Sequence, residues 1–425
     1  MKPTVLIAAT AHWFPTARLA MALADAGCAV EAVCPPRHPL SKIKAVRATA
    51  VYSGFSPLRS FAKAIAAANP DLIVPGDDLA TRHLHHLYRR ELEQGRKDGT
   101  ICRVIENSFG APESFPIVFE RAAFMRLAQE EGVRAPKSAV IGSLAELRNW
   151  AAETGFPTVL KADGTSGGDG VRLVGTPEEA ERAFGKLEAP PLLARAAKRA
   201  LVDQDKTLVW PSLLRRRSVV SAQTYIAGHE ATSTVACWKG KVLAGLHFEV
   251  INKKYAAGPA TVMRLVEHAE MQMAVEKMVR RLQLSGLHGF DFMLETGTGH
   301  AYLIEINPRT TQVGHLTLGL GRDLPAALTA ILSGSPVQPA AKVTDGDTVA
   351  LFPQEWMRDP ASAFIRSAYH DVPWQEPALV RACMQQAFKP KRFVPRKSWE
   401  QAVWTVRPLK RSSLIKAELS KSQHE

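Results

Sequence analysis

Between Gly289 and Arg309 two apolar stretches carry acidic residues. They are Gly289-Phe-Asp291-Phe-Met-Leu-Glu295 and, after the turn Thr296-Gly-Thr-Gly299, Ala301-Tyr-Leu-Ile-Glu305-Ile-Asn307-Pro-Arg309. An ionised carboxylate inside Leu303-Ile304-Glu305-Ile306 is costly unless something pairs it. The two-residue period of a strand puts Glu305 and Asn307 on one face. Asp291 lies fourteen residues before Glu305, and an antiparallel hairpin brings it alongside. Two carboxylates and an amide oxygen form a hard-oxygen ligand set. That set suits Mg²⁺ (or Mn²⁺), which accepts a few carboxylates and completes its shell with substrate phosphates. Arg309 follows closely and has the fork geometry to grip phosphate. The plainer reading is an edge-strand glutamate facing water.

A second group lies upstream. Lys161 ends the run Phe156-Pro-Thr-Val-Leu-Lys161, and Gly164, Gly167, Gly168 and Gly170 follow before the next apolar run at Val171. Four glycines in seven residues leave backbone N–H groups free to close on phosphate oxygens. The Lys161 ammonium would add a point charge. An ordinary loose hairpin with a solvated lysine is the alternative. The loop is not a Walker A sequence, since GxxxxGK[ST] is absent.

The elements that must position these groups fall into three segments. Residues 1–115 alternate short apolar strands (Val5–Ala9, Val30–Val33, Leu72–Val74) with helical patterns (Thr16–Ala26, Pro57–Ala68, Leu79–Gln94), as in a parallel sheet covered on both faces. The first strand-to-helix turn lacks GxGxxG, so nothing places a dinucleotide there. Residues 116–335 read as an α+β domain with antiparallel sheet. One lobe carries the glycine-rich loop (116–220) and a second carries the carboxylates (221–335). Helices are expected at Val118–Gly132, Ser143–Thr154 and Ala269–Leu284, with a helical insertion at 186–210. Strands are expected at Ser138–Ile141, Phe156–Ala162, Val171–Val174, Val219–Ile226, Ala231–Trp238, Lys241–Val250, Gly289–Glu295 and Ala301–Ile306, with a hairpin turn at Lys239-Gly240. Residues 336–425 form a basic extension of weak periodicity.

Taken in order, these motifs resemble the ATP-grasp superfamily, in its carbamoyl-phosphate synthetase, biotin carboxylase and amino-acid ligase branches. Glu120-Arg121 stands where the family often has an acid followed by Lys. Gln223-Thr-Tyr-Ile226-Ala-Gly228-His-Glu230 is similar to the hinge usually written QEYIxGxE. The resemblance covers roughly residues 1–335 and implies a Rossmann-like pre-ATP-grasp domain followed by a two-lobed ATP-grasp domain. It implies ATP and Mg²⁺ as cofactors. Arg121, Lys161 and the glycines of 164–170 would meet the phosphates. Gln223, Thr224, Tyr225, Ile226 and Glu230 would line the adenosine. Asp291, Glu305 and Asn307 would hold the metal, and Arg309 would act with Lys161 in catalysis. The implied activity is ATP-dependent activation of a carboxylate as an acyl phosphate, passed to an amine or other nucleophile. Two departures stand out: Arg121 replaces Lys, keeping the charge but changing its geometry, and Thr224 replaces the hinge Glu.

Composition bounds the alternatives. Hydrophobic residues make up 46% and charged residues 22% of the chain, as in soluble globular proteins. No apolar run reaches a membrane span, and the N-terminal run reads as a buried strand rather than a secretory leader. Cys28, Cys34, Cys102, Cys237 and Cys383 show no CxxC spacing, so a reducing cytoplasm is expected and a zinc site is not. Net charge is +13, and ten Lys/Arg against three Glu lie from Lys389 onward. With Phe393, Trp399 and Trp404, that tail invites a nucleic-acid reading. A packed extension with solvated cations is preferred, and small-molecule substrates are the expected partners. Self-association is left open. The runner-up function is a non-catalytic nucleotide- or nucleic-acid-binding protein on an ATP-grasp scaffold. Arg82-His83-Leu-His85-His86 looks like a metal cluster but is read as a helix, where such neighbours do not share a face. Asp77-Asp78 closes a strand at a sheet edge where ligands often bind, and is weighed against a helix N-cap. Lys253 and Lys254 are weighed as substrate-side residues against a surface loop.

Overall fold

The computed structural model describes residues 2–163, 170–189, 217–255, 258–338 and 340–387. Gly164, Gly167, Gly168, most of the expected insertion and the basic tail lie outside the described residues. Met1–Val380 is one compact unit, and Arg381 begins a second.

The N-terminal sheet has four parallel strands in the order β3-β2-β1-β4, formed by β1 (Thr4–Ala8), β2 (Ala29–Cys34), β3 (Val46–Val51) and β4 (Leu72–Pro75). The runs Val5–Ala8 and Leu72–Val74 are apolar throughout because helices cover both faces. Helices α1 (Pro15–Asp25), α2 (Pro57–Ala68), α3 (Asp78–Glu93) and α4 (Thr100–Phe109) supply that cover. β1 lies between β2 and β4, so the strand order reverses there and opens a crevice at the C-terminal strand ends. Strand β3 was not expected. Its Val-Arg-Ala-Thr-Ala-Val sequence alternates only through small alanines and sits on an exposed edge with no buried position.

A small antiparallel sheet follows in the order β5-β8-β6-β7: β5 (Ser138–Ile141), β6 (Thr158–Ala162), β7 (Val171–Val174) and β8 (Val220–Thr224). Helices α5 (Arg121–Glu130), α6 (Leu144–Thr154) and α7 (Pro177–Glu188) accompany it. Ser143 caps α6 by accepting from the Glu146 N–H, and Thr176 caps α7 in the same way with Pro177 in its first turn. Helix α5 starts later than the apolar pattern predicts. Ile117–Phe119 forms a 3₁₀ turn, which leaves Arg121 as the first helical residue.

The largest sheet has seven strands in the order β13-β12-β9-β10-β11-β14-β15. They are β9 (Gly228–Trp238), β10 (Lys241–Lys253), β11 (Ala260–Leu265), β12 (Gly286–Glu295), β13 (Ala301–Asn307), β14 (Thr348–Ala350) and β15 (Tyr369–His370). All pairings are antiparallel except β14 with β15. Lys239 and Gly240 both have positive φ, 45° and 80°, as the expected two-residue hairpin requires. Helices α5 and α8 (Ala269–Arg281) bury Phe124, Met278, Phe290 and Phe292 against one face. Strands β14 and β15 come from the segment read as an extension, and β14 pairs with β11. Gly228 fits its strand only without a side chain: a Cβ there would lie 1.9 Å from the Leu294 carbonyl oxygen.

The N-terminal and large sheets are bonded together at the crevice. Thr81 Oγ1 donates to the Pro308 carbonyl at 2.8 Å, and the Thr310 N–H donates to the Pro75 carbonyl at 3.3 Å. Asp371, 1% exposed, pairs with the Arg18 guanidinium on α1 and with His315 Nε2 at 2.6 Å.

Candidate functional site

Strands β13, β12 and β9 set the carboxylates. Glu305 is the register partner of Asp291, and Asp291 is the partner of Thr232. One extra residue, Ile304, enters β13 beside this pair, a bulge that leaves Glu305 opposite Asp291. Asp291 Oδ1 accepts from Thr232 Oγ1 at 2.9 Å, and its Oδ2 accepts from Asn307 Nδ2 at 2.8 Å. Burial pushes the Asp291 carboxyl up to about 6, and the Glu305 charge adds to the shift against those hydrogen bonds. Two oxyacids held side by side in this way favour a cation between them.

Asn307 also links the pair to Arg309, whose Nη2 donates to Asn307 Oδ1 at 3.1 Å. Arg309 Nε donates to Asp78 Oδ1 at 3.1 Å, and its guanidinium lies 5.4 Å from the Trp13 ring centre. Asp77 and Asp78 therefore divide their work. Asp77 caps α3 through the Ala80 N–H and accepts from the Thr10 hydroxyl and from the Thr10 and Ala11 N–H groups. Asp78 faces the large sheet and holds Arg309.

Lys161 comes from the small sheet. It is 5% exposed. Burial draws its ammonium down to about 8, against the pull of Glu305, Asp291 and Glu230. Arg121, at the start of α5, reaches across. Its Nη2 donates to Glu305 Oε1 at 2.8 Å, and its Nη1 donates to Asp163 Oδ1 at 3.3 Å. Glu230 stands two residues before Thr232 on the face of β9 that carries Thr232, and accepts from Lys253 Nζ at 2.8 Å. Asp291, Glu305, Asn307, Arg309, Lys161, Arg121 and Glu230 thus fall in one region, although they are spread from residue 121 to residue 309.

The hinge residues are placed differently. Gln223 is buried in the small lobe, where its Nε2 donates to Ser138 Oγ at 3.1 Å and approaches Met125 Sδ. The Thr224 N–H donates to the Lys137 carbonyl. Tyr225 and Ile226 follow the end of β8, with the Tyr225 side chain exposed. Gly170 is buried at the far side of the loop.

Sequence reasoning passed over Asp163, Thr232, Asp78 as the partner of Arg309, and Arg82. Asp163 shares a strand period with Lys161, a signal that was there to use. Arg82 stacks 4.0 Å from the centre of the Phe119 ring and feels the charges of Asp78 and Asp163. That follows only from the fold. His85 of the histidine-rich helix stacks on Phe115 in the core, and no group of three or more His, Cys, Asp or Glu suited to a metal occurs among the described residues. The carboxylate site offers two acids and an amide, which matches a cation that takes its remaining ligands from elsewhere.

The fold and the site define a two-lobed clasp: a small antiparallel sheet with a buried lysine, facing a carboxylate pair on a large one. Residues 120–319 match the family described as carbamoyl-phosphate synthase L chain, ATP binding domain, which supports the resemblance to the ATP-grasp superfamily. The carbamoyl phosphate synthase large chain of Mesorhizobium japonicum is 23% identical over 241 residues, which is 54% of this chain and 20% of that protein. The chain therefore spans about a fifth of the length of that relative. Among solved structures, the biotin carboxylase domain of Hydrogenobacter thermophilus 2-oxoglutarate carboxylase, in complex with MgADP, ADP and bicarbonate, has TM-score 0.55 and 16% identity. That match covers 80% of this chain and 71% of the other. N5-carboxyaminoimidazole synthase of Aspergillus clavatus, with ADP and 5-aminoimidazole ribonucleotide, has TM-score 0.57 and 14% identity, with coverage of 79% and 78%. No helix among the described residues is long and apolar enough to cross a membrane.

Proposed function

We propose that this chain is an ATP- and Mg²⁺-dependent ligase that activates a carboxylate as an acyl phosphate and passes the acyl group to an amine or other nucleophile. The observation that carries the reading is Asp291 beside Glu305 on the large sheet, with Lys161 reaching in from the small sheet and Arg121 from the start of α5. The family match of residues 120–319 supports it.

A free carboxylate is a poor acyl donor because oxide would have to leave. Attack by its oxygen on the γ-phosphorus breaks the bond to ADP and turns that oxygen into part of a phosphate leaving group. Nucleophile attack on the acyl carbon then expels phosphate. Asp291, Glu305 and Asn307 would hold the metal; a bound Mg²⁺ neutralises charge on the transferring phosphates. Lys161 and Arg121 would bind phosphate oxygens and orient the chain for in-line transfer. Arg309, held by Asp78 and Asn307, would grip the carboxylate and then the acyl phosphate through its planar fork. The glycine loop would exclude water from the intermediate. Gln223, Thr224, Tyr225, Ile226 and Glu230 would form the nucleoside side of the site, with Gln223 acting through the lobe core.

Calorimetric titration of ATP, with and without Mg²⁺, tests this in wild type and Glu305→Gln. Mg²⁺-dependent binding by wild type and its loss in the folded variant is the expected result. Hydroxylamine trapping across a panel of carboxylic acids then identifies the acyl donor. Unchanged ATP turnover in Glu305→Gln would sink the metal assignment, and absence of ATP binding to folded wild type would sink the function.

A further inference from the structure

We infer that Arg121 takes the place of the metal ion at Glu305 in the nucleotide-free protein, so that nucleotide and divalent cation bind as one exchange of partners. The inference deepens the ligase reading and rests on it. Arg121 donates to Glu305 Oε1 at 2.8 Å, so one oxygen of a metal-site carboxylate is already engaged. The same guanidinium reaches Asp163 Oδ1 at 3.3 Å and the Ala162 carbonyl at 3.5 Å, so its fork spans the two lobes. Its side chain is only 13% exposed, against 36% for Glu305.

The charges explain why neither ligand enters easily alone. Arg121 and the buried Lys161 ammonium face Asp163, Asp291 and Glu305. A cation arriving by itself must pull Glu305 from Arg121 and add positive charge beside two cations whose partners it has taken. A polyphosphate arriving by itself takes Arg121 and leaves Glu305 beside Asp291 with nothing between them. When both arrive, the cation takes Asp291 and Glu305 and the phosphates take Arg121 and Lys161, so neither the carboxylate pair nor the two cations are left facing like charge alone. Each ligand lowers the cost of the other, which is reciprocal coupling in the thermodynamic sense. An arginine suits this role, since its fork can hold an acid on each side while a lysine ammonium holds one point.

The test is Mn²⁺ binding, read from the electron paramagnetic resonance signal of the free aqua ion, without nucleotide and with saturating ADP. Wild type is expected to bind Mn²⁺ weakly alone and at least about tenfold tighter with ADP. Arg121→Gln and Arg121→Met, once shown to be folded by their melting curves, are expected to bind Mn²⁺ alone at least about tenfold tighter than wild type. Arg121→Lys, which keeps the charge but holds only one acid, should fall between wild type and the neutral variants. Equal affinity for Mn²⁺ alone in wild type and the neutral variants overturns the inference while leaving the ligase reading intact. Failure of wild type to bind Mn²⁺ with ADP overturns both. Nitrogen-15 resonances of the Arg121 side chain give a second measurement on the unaltered protein. They should move with Mg²⁺ and ADP together and stay in place with Mg²⁺ alone. Movement with Mg²⁺ alone by the same amount overturns the inference.

Discussion

Titrating ATP with Mg²⁺ at pH 7 and again at pH 9 reads the charge on Lys161. Burial draws this ammonium from its ordinary 10.5 to about 8. At pH 7 about nine-tenths of the molecules carry the charge, and at pH 9 only about one-tenth do. A polyphosphate seated beside the amine restores its affinity for the proton. Binding at pH 9 is therefore expected to take up about 0.9 proton per site, and at pH 7 the lysine contributes only about 0.1. The assay is calorimetry in two buffers of different ionisation enthalpy, whose difference in heat gives the proton count. Nucleotide phosphates are fully ionised at pH 9 and do not contribute there. Apparent affinity should fall about fivefold between pH 8 and pH 9, or about 1 kcal/mol. Lys161→Arg keeps its charge at both values and should abolish the uptake. The same burial weighs on folding. A buried amine with a lowered pKa penalises folding below about pH 8 and releases that penalty as pH rises toward 10.5. Lys161→Met should then stabilise the nucleotide-free protein at pH 7 by about 1–3 kcal/mol while removing ATP binding. Proton uptake at pH 9 that is the same in wild type and Lys161→Arg would refute the assignment of Lys161 to the phosphates.

Two further expectations concern the scaffold. Asp371→Asn leaves the Arg18 charge buried without its counter-ion and should cost about 3–5 kcal/mol in urea unfolding; a loss under about 1 kcal/mol would show that the cluster carries no structural weight. Burial holds His38, His83, His85, His247, His288 and His370 down to about 3 or 4, below the ordinary 6.5. The unfolded chain therefore binds more protons than the fold between about pH 6.5 and 4, and stability should drop through that window as pH falls, by about 1.4 kcal/mol per unit for each residue. His85→Leu should flatten the slope of the urea midpoint against pH by one proton's share, and an unchanged slope would contradict the burial argument.

Local pattern carried much of the site. Asp291 and Glu305 lie in one hairpin, so strand period and a short turn were enough to set them side by side. The Lys239-Gly240 turn was legible for the same reason, because only residues that accept positive φ suit it. The strand end of Lys161 also followed from its apolar run. What stayed hidden was decided across long separations. Arg309 meets Asp78 over 231 residues, and Arg121 meets Glu305 over 184. Nothing in either neighbourhood marks these partners. Strands β3 and β14 were missed because an edge strand with Arg47 exposed buries no residue fully, and a strand of three residues is too short to write a periodic pattern. Gln223 shows the converse: the motif was found, but only the packing of the small lobe shows its side chain turned toward Met125.

The bonds between α3, β4 and the 308–310 loop decide which part of the clasp can travel. Thr81 to Pro308, Thr310 to Pro75 and Asp78 to Arg309 bolt the N-terminal sheet to the strand end that carries the metal ligands. Asp371 adds a fourth bolt between α1 and His315. These two bodies form a fixed anvil. The small sheet leans on that anvil through the Arg121 fork and the Gln223 contact to Met125, so it is the hammer. Any closing of the site is then expected of the small sheet, since the crevice that holds Arg309 is tied on both sides.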